Sequence, residues 1–192
     1  MGKALFITGT GTDIGKTYVT GLIVKKLRDA GLRAGYYKAA LSGAETLADG
    51  TLLPGDALHV ARVAGLAAAD TTVSYIYRDA VSPHLAAQIE NRPMDFDKVE
   101  QDYRTAKERT EYLTVEGSGG IICPLRWDNE EHVILDDLVL RLGLSALVVA
   151  DAGLGTINAA VLTAEHLKMR GIPLKGFIFN NWTGGTMQED NV

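Results

Sequence analysis

Apolar and polar positions along this chain alternate between two rhythms. Residues 4–8 are a short apolar run that ends in a burst of Gly and Thr, as expected of a buried strand running into a turn. Over 18–29, Val19, Leu22, Ile23 and Leu27 recur at helical spacing, and Gly31 supplies a stop signal. A second strand is predicted at 34–38, then a Gly- and Pro-containing loop over 43–55 and a helix over 56–64 that Asp56 is placed to cap. Ser82-Pro83 reads as a helix start, and 96–109 as a charged helix. Further strands are predicted at 112–115, 147–150 and 176–179, with helical patterns at 134–142 and 157–170 between them. Strands separated by helices imply right-handed crossovers and a parallel sheet covered on both faces. No repeat, low-complexity tract or linker divides the chain. The expectation is one α/β domain over 1–192, a three-layer doubly wound parallel sheet.

In such sheets the functional groups lie just past the carboxyl ends of the strands. Residues 9–17, 38–43, 116–120, 151–158 and 180–181 all begin where a predicted strand ends. The first of these, Gly9-Thr-Gly-Thr-Asp-Ile-Gly15-Lys16-Thr17, sits between a strand and a helix, the context of a phosphate-binding P-loop. Backbone N–H groups would surround the phosphates, Lys16 would reach the terminal ones, and the Thr17 hydroxyl would ligate Mg²⁺. The strict pattern wants Gly at position 10; this chain has Thr10, with Gly9 one residue further out. Glu116 ends a strand before Gly-Ser-Gly-Gly, a second candidate magnesium ligand. Asp56 is a helix cap or a ligand, and Lys38 a surface lysine or a second cation at the phosphate site; the residues alone leave both open.

Composition narrows the function classes. A hydrophobic fraction of 46% with 22% charged residues excludes wholesale disorder. Nineteen Lys plus Arg against 24 Asp plus Glu, a formal charge of −5, argues against gripping nucleic acid through its phosphates. No stretch approaches the roughly 20 apolar residues that span a bilayer, and Cys123 has no second cysteine to pair with. A cytoplasmic protein, with no nucleic-acid or membrane partner, is expected.

Beyond the P-loop, the chain carries in order Lys-x-x-x-Ser-Gly from Lys38, Gly-Asp-Ala from Gly55, Ser-Pro-His from Ser82, Val-Glu-Gly-x-Gly-Gly from Val115 and Gly-x-Ile-Asn from Gly155. Over residues 3 to 181 this series resembles the dethiobiotin synthetase family, ATP-dependent ligases of biotin biosynthesis within the P-loop NTPase superfamily. The resemblance implies a reaction of 7,8-diaminononanoate, CO₂ and ATP. A carbamate forms on one amine, ATP phosphorylates it, and the second amine closes the cyclic urea. It also implies roles. Lys16 and Lys38 would stabilise the phosphates and the carbamate, and Thr12 and Ser42 would orient the reacting groups. Thr17, Asp56 and Glu116 would hold Mg²⁺. Asp13, Ile14, Gly15 and Tyr18, with Gly117, Ser118 and Gly119, would surround the nucleotide. Asn180 resembles the adenine-reading position, and Asn181 stands where an acidic residue is also found.

Members of the family are homodimers, so Gly155, Thr156 and Asn158, opening a helix, would receive the substrate carboxylate of the neighbouring subunit. An ordinary βα turn fits those residues nearly as well. Ala39 replaces a proline common in relatives, and the C-terminal base-binding segment is expected to be absent or truncated, since the sequence stops at Val192. The competing reading is a P-loop switch ATPase of the same fold; its deviant loops usually carry an extra early lysine, and 9–15 has none.

Overall fold

The computed structural model describes residues 2–191. In chain order, β1 (Lys3–Gly9) leads into α1 (Lys16–Asp29) and β2 (Ala34–Leu41). A small antiparallel pair, β3 (Glu45–Thr46) and β4 (Leu52–Leu53), precedes α2 (Gly55–Ala64), a 3₁₀ turn at Ala68–Asp70 and β5 (Thr71–Ile76). Then come α3 (Pro83–Ile89), α4 (Phe96–Glu108), β6 (Tyr112–Glu116) and a second antiparallel pair, β7 (Pro124–Trp127) and β8 (His132–Ile134). The chain continues through α5 (Leu135–Arg141), β9 (Ala146–Asp151), α6 (Thr156–Met169), β10 (Leu174–Asn180) and α7 (Thr186–Asn191).

Six strands form one sheet in the order β10-β9-β1-β6-β2-β5, and every pairing is parallel. The pleat sends adjacent residues to opposite layers. Ile7, Tyr36 and Val149 pack with Val19 and Val24 of α1 and Val60 of α2, whereas Phe6, Tyr37 and Val148 pack with residues of α4, α5 and α6. Every residue of β2 is buried, which explains its run of apolar residues interrupted by Lys38.

The expected α/β class and parallel central sheet hold, with four local differences. The strand at 34–38 runs on to Leu41, because its neighbour β5 continues beside it to Ile76. The strand β5 itself lies in a stretch for which no strand is predicted from the pattern; it is the sheet edge, where polar Thr71, Thr72 and Ser74 are tolerated. The loop over 43–55 and the segment after residue 123 each fold into a short hairpin. Asp56 does not cap α2. Pro54 holds that position with no side-chain cap bond, and the Asp56 carboxylate turns to Lys38 instead.

Candidate active site

The carboxyl ends of β1, β2 and β6 meet beside the N-terminus of α1. Their parallel register puts Lys38 directly opposite Glu116, and Glu116 opposite Ile7. Thr12, Asp13, Gly15, Lys16, Thr17, Lys38, Ser42, Asp56, Glu116, Ser118 and Gly119 line one cleft of about 400 Å³. A larger cleft of about 940 Å³ lies at the opposite, amino end of the strands, around Lys3, Arg33, Tyr103 and Glu111. That one lacks the glycine loop and the buried cations, so the chemistry converges on the smaller.

The loop between β1 and α1 is built by close approach. A side chain at Gly9 would meet Cδ1 of Ile14 at 2.4 Å. Gly15 has φ +88°, a left-handed conformation, and a Cβ there would stand 2.0 Å from Nδ2 of Asn180. That amide donates to the Ile14 carbonyl at 2.9 Å, so the end of β10 braces the loop from behind. Asp13 also takes a positive φ, +58°. The helix that follows has no side-chain cap and no acidic residue in its first turn, leaving its N–H groups and positive dipole end for an anion.

Two lysines with opposite electrostatics occupy the cleft. Lys16 Nζ donates to the Gly11 carbonyl at 2.6 Å. Burial pushes its pKa below the ordinary 10.5 and the charge of Lys38 adds to that, outweighing Glu116, Asp56 and Asp13. Lys38 is pushed down by burial too, but Glu116 and Asp56 more than compensate, and its pKa is raised. Its Nζ lies 2.7 Å from Oε1 of Glu116 and 2.5 Å from Oδ2 of Asp56. The Glu116 side chain is 0% exposed, that of Lys38 6% and that of Asp56 39%, so Asp56 alone of the three opens to solvent. Thr17 donates its hydroxyl to the same Oε1 at 2.8 Å. Oε2 of Glu116 is buried without a hydrogen-bond partner. Nearby, burial together with the negative charges of Glu116 and Asp56 holds the Tyr36 phenol well above its ordinary pKa.

A hydroxyl and two carboxylates on one cleft, one carboxylate partly open to solvent, suit magnesium. That ion binds through one or two carboxylates and completes its shell with waters and phosphate oxygens. Among the described residues no group of three or more His, Cys, Asp or Glu is arranged to hold a metal by itself.

The remaining predicted residues divide. Ser118 donates to the Ala40 carbonyl at 2.7 Å, fixing the loop after β6 against β2. Gly117 is a packing glycine, since a Cβ there would meet Phe6 Cζ at 2.7 Å and Leu135 Cδ2 at 2.9 Å. Asn181, at φ +59°, donates to Asp151 at 2.6 Å. Tyr18 is half exposed, outside the cleft lining. Gly155 caps α6 and Thr156 and Asn158 lie in its first turn, outside the lining of this cleft; Oγ1 of Thr156 is buried and unpartnered. Cys123 escaped sequence reasoning as a neighbour of the site: its Sγ lies 3.4 Å from where a Gly119 side chain would begin, and burial raises its thiol pKa. Nothing in its sequence neighbourhood signals this.

A family model described as an AAA domain matches residues 3–191. The ATP-dependent dethiobiotin synthetase of Brachyspira hyodysenteriae is 49% identical, over 100% of this chain and 85% of its own length. The chain belongs to the dethiobiotin synthetase family. A dethiobiotin synthetase of Clostridium botulinum (strain Loch Maree) is 50% identical over 95% of this chain and 80% of its own. Among solved structures, the septum site-determining protein MinD of Pyrococcus horikoshii, complexed with Mg-ADP, aligns at TM-score 0.55 with 14% identity, covering 100% of this chain and 77% of that one. A plasmid partition protein of Borrelia burgdorferi aligns at 0.56 with 10% identity, covering 98% and 82%. At such identities these establish the P-loop fold and nothing of the switch-ATPase reading; sequence kinship favours the synthetases. No helix among the described residues is long and apolar enough to cross a membrane.

Proposed function

We propose that this chain closes the ureido ring of dethiobiotin from 7,8-diaminononanoate, CO₂ and ATP, as a magnesium-dependent cytoplasmic homodimer whose residues 1–192 work as one P-loop unit. The observation that carries the site assignment is the buried cluster of Lys38, Glu116, Asp56 and Thr17 beside the glycine loop. Family membership supplies the reaction.

The chemistry begins with a carbamate on one amine of the substrate. A carbamate oxygen attacks the γ-phosphorus of ATP and ADP leaves. The second amine then attacks the carbonyl carbon of the carbamic–phosphoric anhydride, and phosphate departs with the proton balance completed by solvent. The reacting groups before ring closure are anionic oxygens, so the protein's contribution is positioning and charge neutralisation. Bound magnesium would neutralise phosphate oxygens and fix their orientation, held by Thr17, Asp56 and Glu116.

Lys16 exchanges its contact with the Gly11 carbonyl for phosphate oxygens, a change favoured because burial leaves its charge under-compensated. Lys38 has three donors, of which Asp56 and Glu116 take two; the third faces the carbamate. Thr12 and Ser42, on the same cleft, orient the carbamate and the attacking amine. Asp13, Ile14, Gly15, Gly117, Ser118 and Gly119 shape the nucleotide's surroundings directly or through packing, with Tyr18, Asn180 and Asn181 on the base side.

Dimerisation is supported by an outer face of α6 on which Ile157 and Val161, one turn apart, are exposed beside Leu154. Gly155, Thr156 and Asn158 at that helix's start would receive the carboxylate of a substrate held mainly by the other subunit.

The decisive assay is phosphate release from Mg·ATP with and without 7,8-diaminononanoate plus bicarbonate, followed by mass spectrometry. Diamine-dependent release, with a product heavier than the diamine by CO less two hydrogens, is expected. Hydrolysis indifferent to the diamine, with no such product, would refute the assignment. Sedimentation equilibrium tests the dimer; a monomer throughout the working concentration range sinks that part.

A further inference from the structure

Lys38 and Thr17 both bond Oε1 of Glu116, which leaves open what holds the other carboxylate oxygen at the end of β6. We propose that Tyr36 is a positioning residue for Glu116, its buried hydroxyl donating to Oε2 so that the carboxylate is presented to magnesium in one orientation. The inference rests on the magnesium–nucleotide reading above.

The register carries it. β2 and β6 are adjacent parallel strands in which Tyr36 stands opposite Thr114 and Lys38 opposite Glu116. Tyr36 and Lys38 are two residues apart and so share a face, and that face is the one on which Lys38 meets Glu116. Tyr36 is therefore the diagonal neighbour of Glu116, a separation that long side chains bridge.

Both residues are essentially fully buried, and each keeps one polar atom without a partner: Oη of Tyr36 and Oε2 of Glu116. Buried polar groups are rarely left so, and a phenol donor with a carboxylate acceptor answers both at once. The apolar residues clustered with Tyr36, among them Val24, Ala34, Ala57, Val60 and Ala64, offer its hydroxyl no side-chain partner. The adjacent Tyr37 shows the contrast. The pleat turns it to the other layer, where its hydroxyl already bonds Ser74 and the Val99 carbonyl. Partners of this kind, one step behind a metal-ligating carboxylate, set its orientation and basicity.

The test is Tyr36→Phe, which keeps the ring and removes the hydroxyl. ADP binding is measured calorimetrically across a magnesium series, and turnover alongside it. The magnesium concentration for half-maximal tightening of ADP binding should rise about tenfold, with binding in the absence of magnesium unchanged. In turnover the KM for magnesium should move while kcat at saturating magnesium stays within about twofold, as expected for a group acting on a ligand rather than on reacting atoms. In a Glu116→Gln background the same substitution should add nothing further. Tyr103→Phe, which removes a buried, unpartnered phenol from the opposite layer, should leave the magnesium series unmoved.

An unshifted series in Tyr36→Phe overturns the proposal, as does an equal loss without magnesium or a full effect persisting in Glu116→Gln. If neither the parent protein nor Glu116→Gln responds to magnesium, the parent reading falls too. If they respond and Tyr36→Phe does not, this inference alone falls. Should Tyr36→Phe fail to fold, a crystal structure of the parent with Mg·ADP decides. Oη within about 2.5–3.0 Å of Oε2 supports the proposal, and Oη bonded elsewhere overturns it.

Discussion

Replacing Lys38 by Met isolates the central ion cluster. Met fills similar volume but removes the charge between two carboxylates, one of them wholly buried. At 2.7 Å from Glu116 and an effective dielectric near 20, the direct attraction is on the order of 6 kcal/mol before any desolvation is counted. Removing one partner of a buried pair typically costs about 3–5 kcal/mol, because the other is left uncompensated. Asp56 is partly open to water and can re-solvate, so the lower part of that range, about 3 kcal/mol, is the expectation. The measurement is urea unfolding of the ligand-free protein at pH 7.5, for Lys38→Met, Glu116→Gln and the double variant. The double variant should recover most of the loss, since it buries no unpaired charge.

The pH dependence has a definite sign. The folded pKa of Lys38 is raised above the ordinary 10.5. Its contribution is thus complete at neutral pH and fades only as the pH climbs beyond about 10.5 through the folded value. The gap between parent and Lys38→Met should stay flat from pH 7 to 9. A loss under about 1 kcal/mol, or one of equal size in the Glu116→Gln background, would show that the cluster is not the coupled unit described here. In turnover, loss of a cation aimed at developing charge should cost at least about 10²-fold, with Mg·ATP still bound.

Other consequences are open to direct checks. Glu116→Gln should raise the magnesium requirement for ATP binding, and an unaltered magnesium titration would remove it as a ligand. Asn180→Ala deletes the brace on Ile14; nucleotide affinity should fall about five- to tenfold, roughly one hydrogen bond, with thermal stability barely changed, and unaltered affinity would mean the loop holds its own shape. Gly117→Ala drives a methyl into Phe6 and Leu135 and should cost about 1–3 kcal/mol by denaturant unfolding; a neutral result would refute the packing role.

Much of this was legible because local signals and topology pointed the same way. Gly9–Thr17 between a strand and an amphipathic helix announces itself, Lys38 interrupts an apolar run and Glu116 closes one. Their facing register follows once both strands are parallel and adjacent. What was not legible depends on contacts distant in sequence. Asp56 looks like a helix cap, and only the approach of Lys38 from β2 turns its carboxylate elsewhere. The edge strand β5 carries Thr71, Thr72 and Ser74, too polar to stand out, and its strand state comes from pairing with β2. The partner of Asn180 lies 166 residues away, and Gly117 reads as loop flexibility until Phe6 and Leu135 close around it.

That long span between Asn180 and the loop it braces bears on the order of synthesis. The glycine loop and the strand it follows leave the ribosome before the residue that pins the loop from behind, which lies 166 residues beyond Ile14. The central strands can assemble during translation, but the nucleotide cradle gains its rear support only after β10 has emerged and paired with β9. Nascent chains are therefore expected to bind nucleotide more tightly once that strand is in place, a form of timing set by where one asparagine falls along the message.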